Sequence, residues 1–237
     1  MIVIVRPEPS LPSSLAFFQQ RGLECCGVAV QRIRTIEIPS AEHSLLTSLT
    51  PSVVIVTSQY AAPAAIEYLD HIEWDGANRL IAIGSKTQAA LGKYAGQSDS
   101  PSTQTSEGIL AEFSDAFNPT ASIVIFKGVG GRNELEKAFV QLGARVQSLT
   151  VYERLAKPLS GDEIKLLERA KCIVATNAES IEILIKADAS IGLADKQWIV
   201  PSARVAEIAA NYGIKTIHLS AGASDAALLK CIHQILE

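Results

Sequence analysis

Ile2-Val3-Ile4-Val5-Arg6 returns 121 residues later as Ile123-Val124-Ile125-Phe126-Lys127. The recurrence continues outward from both copies. Ala16-Phe17-Phe18-Gln19-Gln20-Arg21-Gly22 matches Lys137-Ala138-Phe139-Val140-Gln141-Leu142-Gly143 at the same offset. Val54-Ile55-Val56-Thr57-Ser58 matches Ile173-Val174-Ala175-Thr176-Asn177 at 119, and Ile81-Ala82-Ile83-Gly84-Ser85 matches Trp198-Ile199-Val200-Pro201-Ser202 at 117. Ser106-Glu107-Gly108-Ile109-Leu110 matches Ser224-Asp225-Ala226-Ala227-Leu228 at 118. Five matches in one order, with an offset that drifts by only four, point to two related halves.

Within each half, short β-branched runs (2–5, 53–57, 80–83; 123–126, 172–175, 198–200) give way to small polar residues. Stretches of helical period then follow, such as Ala64 to Leu69 and Val205 to Ala209. Apolar runs bounded this way suit strands buried on both faces of a parallel sheet. Their alternation with helices predicts α/β units with right-handed crossovers, each half the size of a five-stranded flavodoxin-like unit. Val28 to Ile38 and Val146 to Leu155 depart from the pattern. Both are long, mix β-branched residues with charge (Arg32, Arg34 and Glu37; Glu153 and Arg154), and precede a proline. They read either as strands that leave one sheet and run on as connectors between domains, or as edge strands followed by loops. Gly96 to Ser106 reads as a loop, whereas its counterpart Lys215 to Leu219 reads as a strand.

Composition narrows the function. Of 237 residues, 48% are apolar and 19% charged, which suits a packed core rather than disorder. The net charge is -4, which argues against a nucleic-acid partner. No apolar run approaches the roughly 18 residues that span a bilayer, so no membrane association is expected. Met1 to Pro7 reads as a first strand rather than a signal peptide. Cys25, Cys26, Cys172 and Cys231 show no CxxC spacing and read as reduced thiols in a cytoplasmic protein. His43, His71, His218 and His233 show no metal-ligand spacing, so no metal is expected.

In open parallel sheets, ligands bind beyond the carboxyl ends of the strands. The residues there are Arg6-Pro7, Thr57-Ser58-Gln59, Gly84-Ser85-Lys86-Thr87, Lys127-Gly128-Val129-Gly130-Gly131-Arg132, Thr176-Asn177 and Pro201-Ser202-Ala203-Arg204. Thr105-Ser106 and Ser220 precede the last helix of each half. Singly, each hydroxyl or amide reads as a helix cap. As a set they suggest a cleft for a ligand with several anionic groups, held by free helix amides. Residues 1–118 hold 7 Lys and Arg against 12 Asp and Glu; residues 119–237 hold 14 against 13. Such a ligand therefore depends on local donors, more of them in the second half. The loop from Lys127 to Arg132 is neither GxGxxG nor GxxxxGK[ST]; it reads equally as a tight turn or as an anion site. No GxSxG elbow, Cys–His pair or carboxylate couple is evident. Tyr152, in Val151-Tyr152-Glu153-Arg154, stands apart. On a connector beside a cleft, its phenol can give a proton to a leaving oxygen; otherwise it is a half-buried strand tyrosine.

Over its full length the chain resembles the uroporphyrinogen-III synthase family. The likeness rests on Arg6-Pro7, Thr57-Ser58, Ile83 to Thr87, Ser106-Glu107-Gly108, Lys127 to Arg132, Val151 to Arg154 and Val200 to Arg204, in that order and spacing. The resemblance implies two flavodoxin-like α/β domains joined by a two-stranded linker. One domain would comprise residues 1–34 and 156–237 and the other 38–149, with 35–37 and 150–155 as connecting strands. It implies loss of water from the hydroxymethyl end of a linear tetrapyrrole polycarboxylate, hydroxymethylbilane. The substituted carbon of ring D then attacks, a spiro intermediate forms, and the ring closes with ring D inverted. No cofactor is implied, and a monomer is expected. The family's tyrosine at the linker matches Tyr152. Asn177 stands where the family more often shows Ser. Two other readings remain: a non-catalytic two-domain sensor of a small polyanion, and a nucleotide-dependent enzyme resting on Lys127 to Arg132 alone.

Overall fold

The computed structural model describes residues 1–39, 51–72, 78–131, 133–187 and 191–236. The chain divides into two compact units. Unit 1 comprises Met1–Ile33 and Arg154–Glu237; unit 2 comprises Arg34–Glu153.

In unit 1 the strands are β1 (Ile2–Val5), β2 (Cys25–Val28), β9 (Cys172–Ala175), β10 (Gln197–Val200) and β11 (Thr216–Leu219). They form one parallel sheet in the order β11-β10-β9-β1-β2. Strands β1 and β9 are buried at every position, as an all-apolar run between two helical layers requires. Val3, Val5, Ile173, Ala175, Trp198 and Val200 face α6 (Gly161–Arg169), α7 (Ala178–Ala187) and α8 (Ala203–Asn211). Ile2, Ile4, Cys25, Cys172, Val174 and Ile199 face α1 (Leu11–Gln19) and α9 (Asp225–Leu236). The alternation follows from the period of two along a strand.

Unit 2 contains β4 (Val53–Val56), β5 (Arg79–Ala82), β6 (Ser98–Asp99), β7 (Ser122–Gly128) and β8 (Arg145–Ala156). These five run parallel in the order β8-β7-β4-β5-β6, and a sixth strand joins the sheet beyond β8. One face packs Val53, Ile55, Ile81, Ile123 and Ile125 under α4 (Ser106–Glu112) and α5 (Glu134–Gln141). On the other face Phe126 meets Tyr68 of α2 (Ala62–His71), with ring centroids 5.6 Å apart. The short α3 (Ser85–Ala90) follows β5.

The two sheets repeat one plan with exchanged parts. The matched strands β1 and β7 hold the same place, as do β4 and β9 and also β5 and β10. Each sheet takes its first two strands from one half of the chain and its last three from the other. Both read as the flavodoxin order 2-1-3-4-5 once that exchange is allowed for.

The two long extended stretches differ from each other. Val146 to Leu155 lies within one continuous strand of 12 residues. Val28 to Ile38 is broken instead: β2 ends at Val28, and β3 (Gln31–Thr35) begins after the buried pair Ala29-Val30. The break is where the chain changes partner, from β1 to β8. The Lys157 amide donates to Val30 O at 2.8 Å and the Ile36 amide to Val151 O at 2.9 Å. Six residues forward on one strand answer six back on the other, so this ladder is antiparallel. The same register sets Arg34 opposite Glu153, and the two form an ion pair. Within Gly96 to Ser106, expected to be a loop, Ser98-Asp99 pairs with Leu80-Ile81. An edge strand needs backbone pairing but no apolar face, so its polar residues hid it.

Arg6 fastens α9 to the end of β1. Its guanidinium is ion-paired to Asp225, with both side chains 8% exposed, and donates to Ala223 O at 2.9 Å. Ser14 of α1 donates to the same carboxylate at 3.0 Å. Removing one partner of a buried pair strands the other charge. Asp225→Ala is therefore expected to destabilise unit 1 by about 3–5 kcal/mol. Urea unfolding followed by Trp198 fluorescence in a Trp74→Phe background measures it. A loss below about 1 kcal/mol would show that the pair does not hold the helix.

Candidate active site

The strand order reverses between β1 and β9 in unit 1 and between β7 and β4 in unit 2, which is where parallel sheets open a crevice beyond their carboxyl ends.

In unit 1 that position is occupied by side chains bonded to one another. Besides Arg6, Asn177 accepts the Ser180 amide at 2.8 Å through Oδ1, capping α7. Its Nδ2 donates to Gln31 Oε1 at 3.1 Å, and Ser180 Oγ donates to the same oxygen at 2.9 Å. Gln31, 1% exposed, donates in turn to Glu179 at 2.8 Å. Thr176 is half-buried beside this network. Farther along the sheet, Pro201 is half-buried and Ser202 is exposed; Ser202 caps α8 by accepting the Val205 amide. Ser220 is buried and donates to Gly222 O at 2.8 Å.

Unit 2 is different in kind. Thr57, after β4, spans to β7: its amide and Oγ1 donate to Phe126 O at 3.1 and 3.0 Å. Ser58 Oγ accepts the Tyr60 amide at 3.2 Å. A bulge between Lys127 and Gly128 shifts the register of β7 against β8 and brings Gly128 opposite Tyr152. The chain then turns through Gly130, whose φ of +70° only glycine adopts without strain. Tyr152 is 3% exposed, and its ring lies on the Gly128 backbone. A Cβ at Gly128 would stand 2.5 Å from Tyr152 Cζ and 2.8 Å from its hydroxyl oxygen. The ring of Tyr60 meets that of Tyr152 edge-on, centroids 5.6 Å apart at 63°. Next to β5, Gly84 is buried, Ser85 exposed, Lys86 half-buried and Thr87 buried. Ser106 is buried at the start of α4, which Thr105 caps by accepting the Gly108 amide at 3.1 Å. Arg132 lies outside the described residues.

Lys127, read from the sequence as part of a candidate anion site, is engaged inside unit 2. Its Nζ donates to Asn133 Oδ1 at 2.6 Å and is ion-paired to Glu136, which also accepts Ser148 Oγ at 2.9 Å. Burial alone would raise the Glu136 carboxyl. The Lys127 hydrogen bond, a helix amide, Ser148 and the lysine charge outweigh it and hold the group below the ordinary 4.5. Lys127 and Glu136 thus anchor the root of the glycine loop to α5, and within the loop the Val129 amide donates to Tyr152 O and the Gly131 amide to Gly128 O. Tyr60 and the Lys127–Glu136 contact escaped the sequence reading. Tyr60 had a signal, since it directly follows Thr57-Ser58-Gln59 at a strand end.

Burial pushes the Cys172 thiol up to about 12, with neighbouring Cys231 adding to the shift, so it packs as a neutral group. All four cysteines are free thiols. Among the described residues, no group of three or more His, Cys, Asp or Glu side chains is placed to hold a metal ion. No helix among them is long and apolar enough to cross a membrane.

A carboxylate held below its unfolded value adds stability at neutral pH. That contribution is lost as pH falls through the folded value. Glu136→Gln is expected to remove this part of the acid limb, so the stability gap between parent and variant narrows between about pH 5 and about pH 3. Melting temperatures across that range test it; curves that stay parallel would show that Glu136 is not the group responsible.

The family described as uroporphyrinogen-III synthase HemD matches residues 14–230. The chain is 25% identical to the uroporphyrinogen-III synthase of Salmonella typhimurium over 247 residues, covering 98% of this chain and 99% of that one. Among solved structures, it is similar to a mutant uroporphyrinogen III synthase from the extreme thermophile Thermus thermophilus (TM-score 0.62, 16% identity, 100% and 98% of the two chains). It is also similar to the uroporphyrinogen-III synthetase of Helicobacter pylori (TM-score 0.63, 15% identity, 100% and 99%). These two share its fold of paired α/β units with parallel sheets. With the family match running through both units, the chain belongs to the uroporphyrinogen-III synthase family.

Proposed function

We propose that the chain is a carbon–oxygen lyase that closes hydroxymethylbilane to uroporphyrinogen III in the cytoplasm, acting as a monomer in porphyrin biosynthesis and calling on no cofactor. The observation that carries this reading is the family match over residues 14–230.

The chemistry asks for two things from the protein. The first is a proton at the hydroxymethyl oxygen as water leaves. Tyr152 is the group assigned to it: a phenol beside the strand-end glycines of unit 2, shielded from bulk water at 3% exposure. The second is a grip on acetate and propionate carboxylates that keeps the chain curled until ring D has inverted. The turn amide of Gly130 and the half-buried hydroxyl of Ser58 suit that task, while Thr57 and the Val129 and Gly131 amides hold the loop from within. Exposed Ser85 and Ser202 and half-buried Lys86 and Thr176 are further donors on the same strand-end edges. Amides at strand ends and helix starts bind carboxylates without any basic excess, which fits the net charge of -4. Arg6, Lys127 and Asn177 support this from within, through bonds inside their own units. Holding a reactive chain in one geometry supplies most of the acceleration.

Incubated with enzymatically made hydroxymethylbilane, the protein is expected to give the type III isomer; type I alone would refute the assignment. Tyr152→Phe keeps the ring and should fold normally, while slowing turnover by about 10²–10⁴-fold. An unchanged rate would remove Tyr152 from the chemistry.

A further inference from the structure

We infer that Tyr60 and Gly128 are positioning residues that together seat the Tyr152 phenol; this rests on the proposed role of Tyr152. Three contacts fix this residue, two on its ring and one on its backbone carbonyl. From below, the ring lies on backbone with no side chain between them. The Gly128 Cβ position is 2.5 Å from Tyr152 Cζ, so any larger residue must lift the phenol. Along the strand, the Val129 amide donates to Tyr152 O at 2.9 Å, just past the bulge that puts Gly128 and Tyr152 in register. From the side, Tyr60 meets the ring at 5.6 Å and 63°, the edge-to-face geometry aromatic pairs prefer.

Tyr60 is itself held in place. Its amide donates to Ser58 Oγ, and Thr57 ties the same loop to Phe126 of β7 through two bonds. Phe126 lies two residues before Gly128. The loop after β4 and the strand that carries the glycine therefore move as one piece, and the phenol is gripped between their ends. A ring filling space in the core would need shape alone. Here the contact falls on a buried phenol at the point where the strand order reverses.

The test is a double-mutant cycle with hydroxymethylbilane as substrate. Tyr60→Leu is expected to lower kcat by about tenfold or more with KM little changed, because small misplacements of a reacting group are costly. Tyr60→Phe keeps the ring edge and should restore the parent rate. Gly128→Ala should act like Tyr60→Leu. In a Tyr152→Phe background, Tyr60→Leu should have no further effect. An unchanged kcat in Tyr60→Leu, or an equal loss with and without Tyr152, would overturn the inference.

Fluorine NMR of protein labelled with 3-fluorotyrosine gives a readout independent of turnover. The Tyr152 resonance, assigned by its loss in Tyr152→Phe, should shift in Tyr60→Leu and in Gly128→Ala. No shift would overturn the seat, and the Tyr60 variant decides alone should Gly128→Ala not fold. If Tyr152→Phe turns over at the parent rate, it is the proton-donor role that falls, and the resonance shift still decides the seat.

Discussion

A parallel sheet must be covered on both faces, because its strands are apolar on both. Everything else in each unit follows from that requirement. The chain leaves each strand and crosses over the sheet, usually as a helix, before the next strand begins beside the last. Every parallel strand then ends on the same edge of its sheet, and most helices begin there. Turn glycines, capping hydroxyls and unpaired amides collect along that edge without being selected one by one. The sheet order decides which of them matter most, because only where it reverses is there room between the diverging connections.

The two reversal points have diverged from a common plan. In unit 1, Arg6–Asp225 and the Gln31–Asn177–Ser180 network fill the position with polar groups bonded to one another. In unit 2 the corresponding strand carries Lys127, paired to Glu136, and then Gly128, with the rings of Tyr152 and Tyr60 against and beside the glycine. One repeated frame thus supplies a bonded interior in one unit and a seated phenol in the other.

Much of the frame was legible in the sequence because it rests on local signals. The apolar runs at β1, β4, β7 and β9 declare strands buried on both faces. The mixed run from Val146 to Leu155 declares a strand with one exposed flank. β6 was not legible, since Ser98-Asp99 belongs to a sheet only through its backbone. The fates of individual cations were not legible either. Lys127 finds Glu136 nine residues on because the chain turns sharply at Gly130, and Arg6 finds Asp225 at the far end of the chain. Such pairings are products of the fold, so the residue types alone could show only that donors were present. Thr105, Ser202 and Asn177 behave as helix caps, in line with the propensity of their types.

The exchange of strands between halves also sets an order on biosynthesis. Unit 2 is one uninterrupted stretch from Arg34 to Glu153. Unit 1 is not: Ile2 pairs with Cys172, so β1 must wait for a partner synthesised 170 residues later. At ribosomal rates of about 5–20 residues per second, that is a delay of roughly ten to thirty seconds. During it, β1, α1 and β2 emerge with an apolar strand edge uncovered, while the middle of the chain can already collapse. Unit 2 can therefore close during synthesis before unit 1, and β1 is among the last strands to be buried.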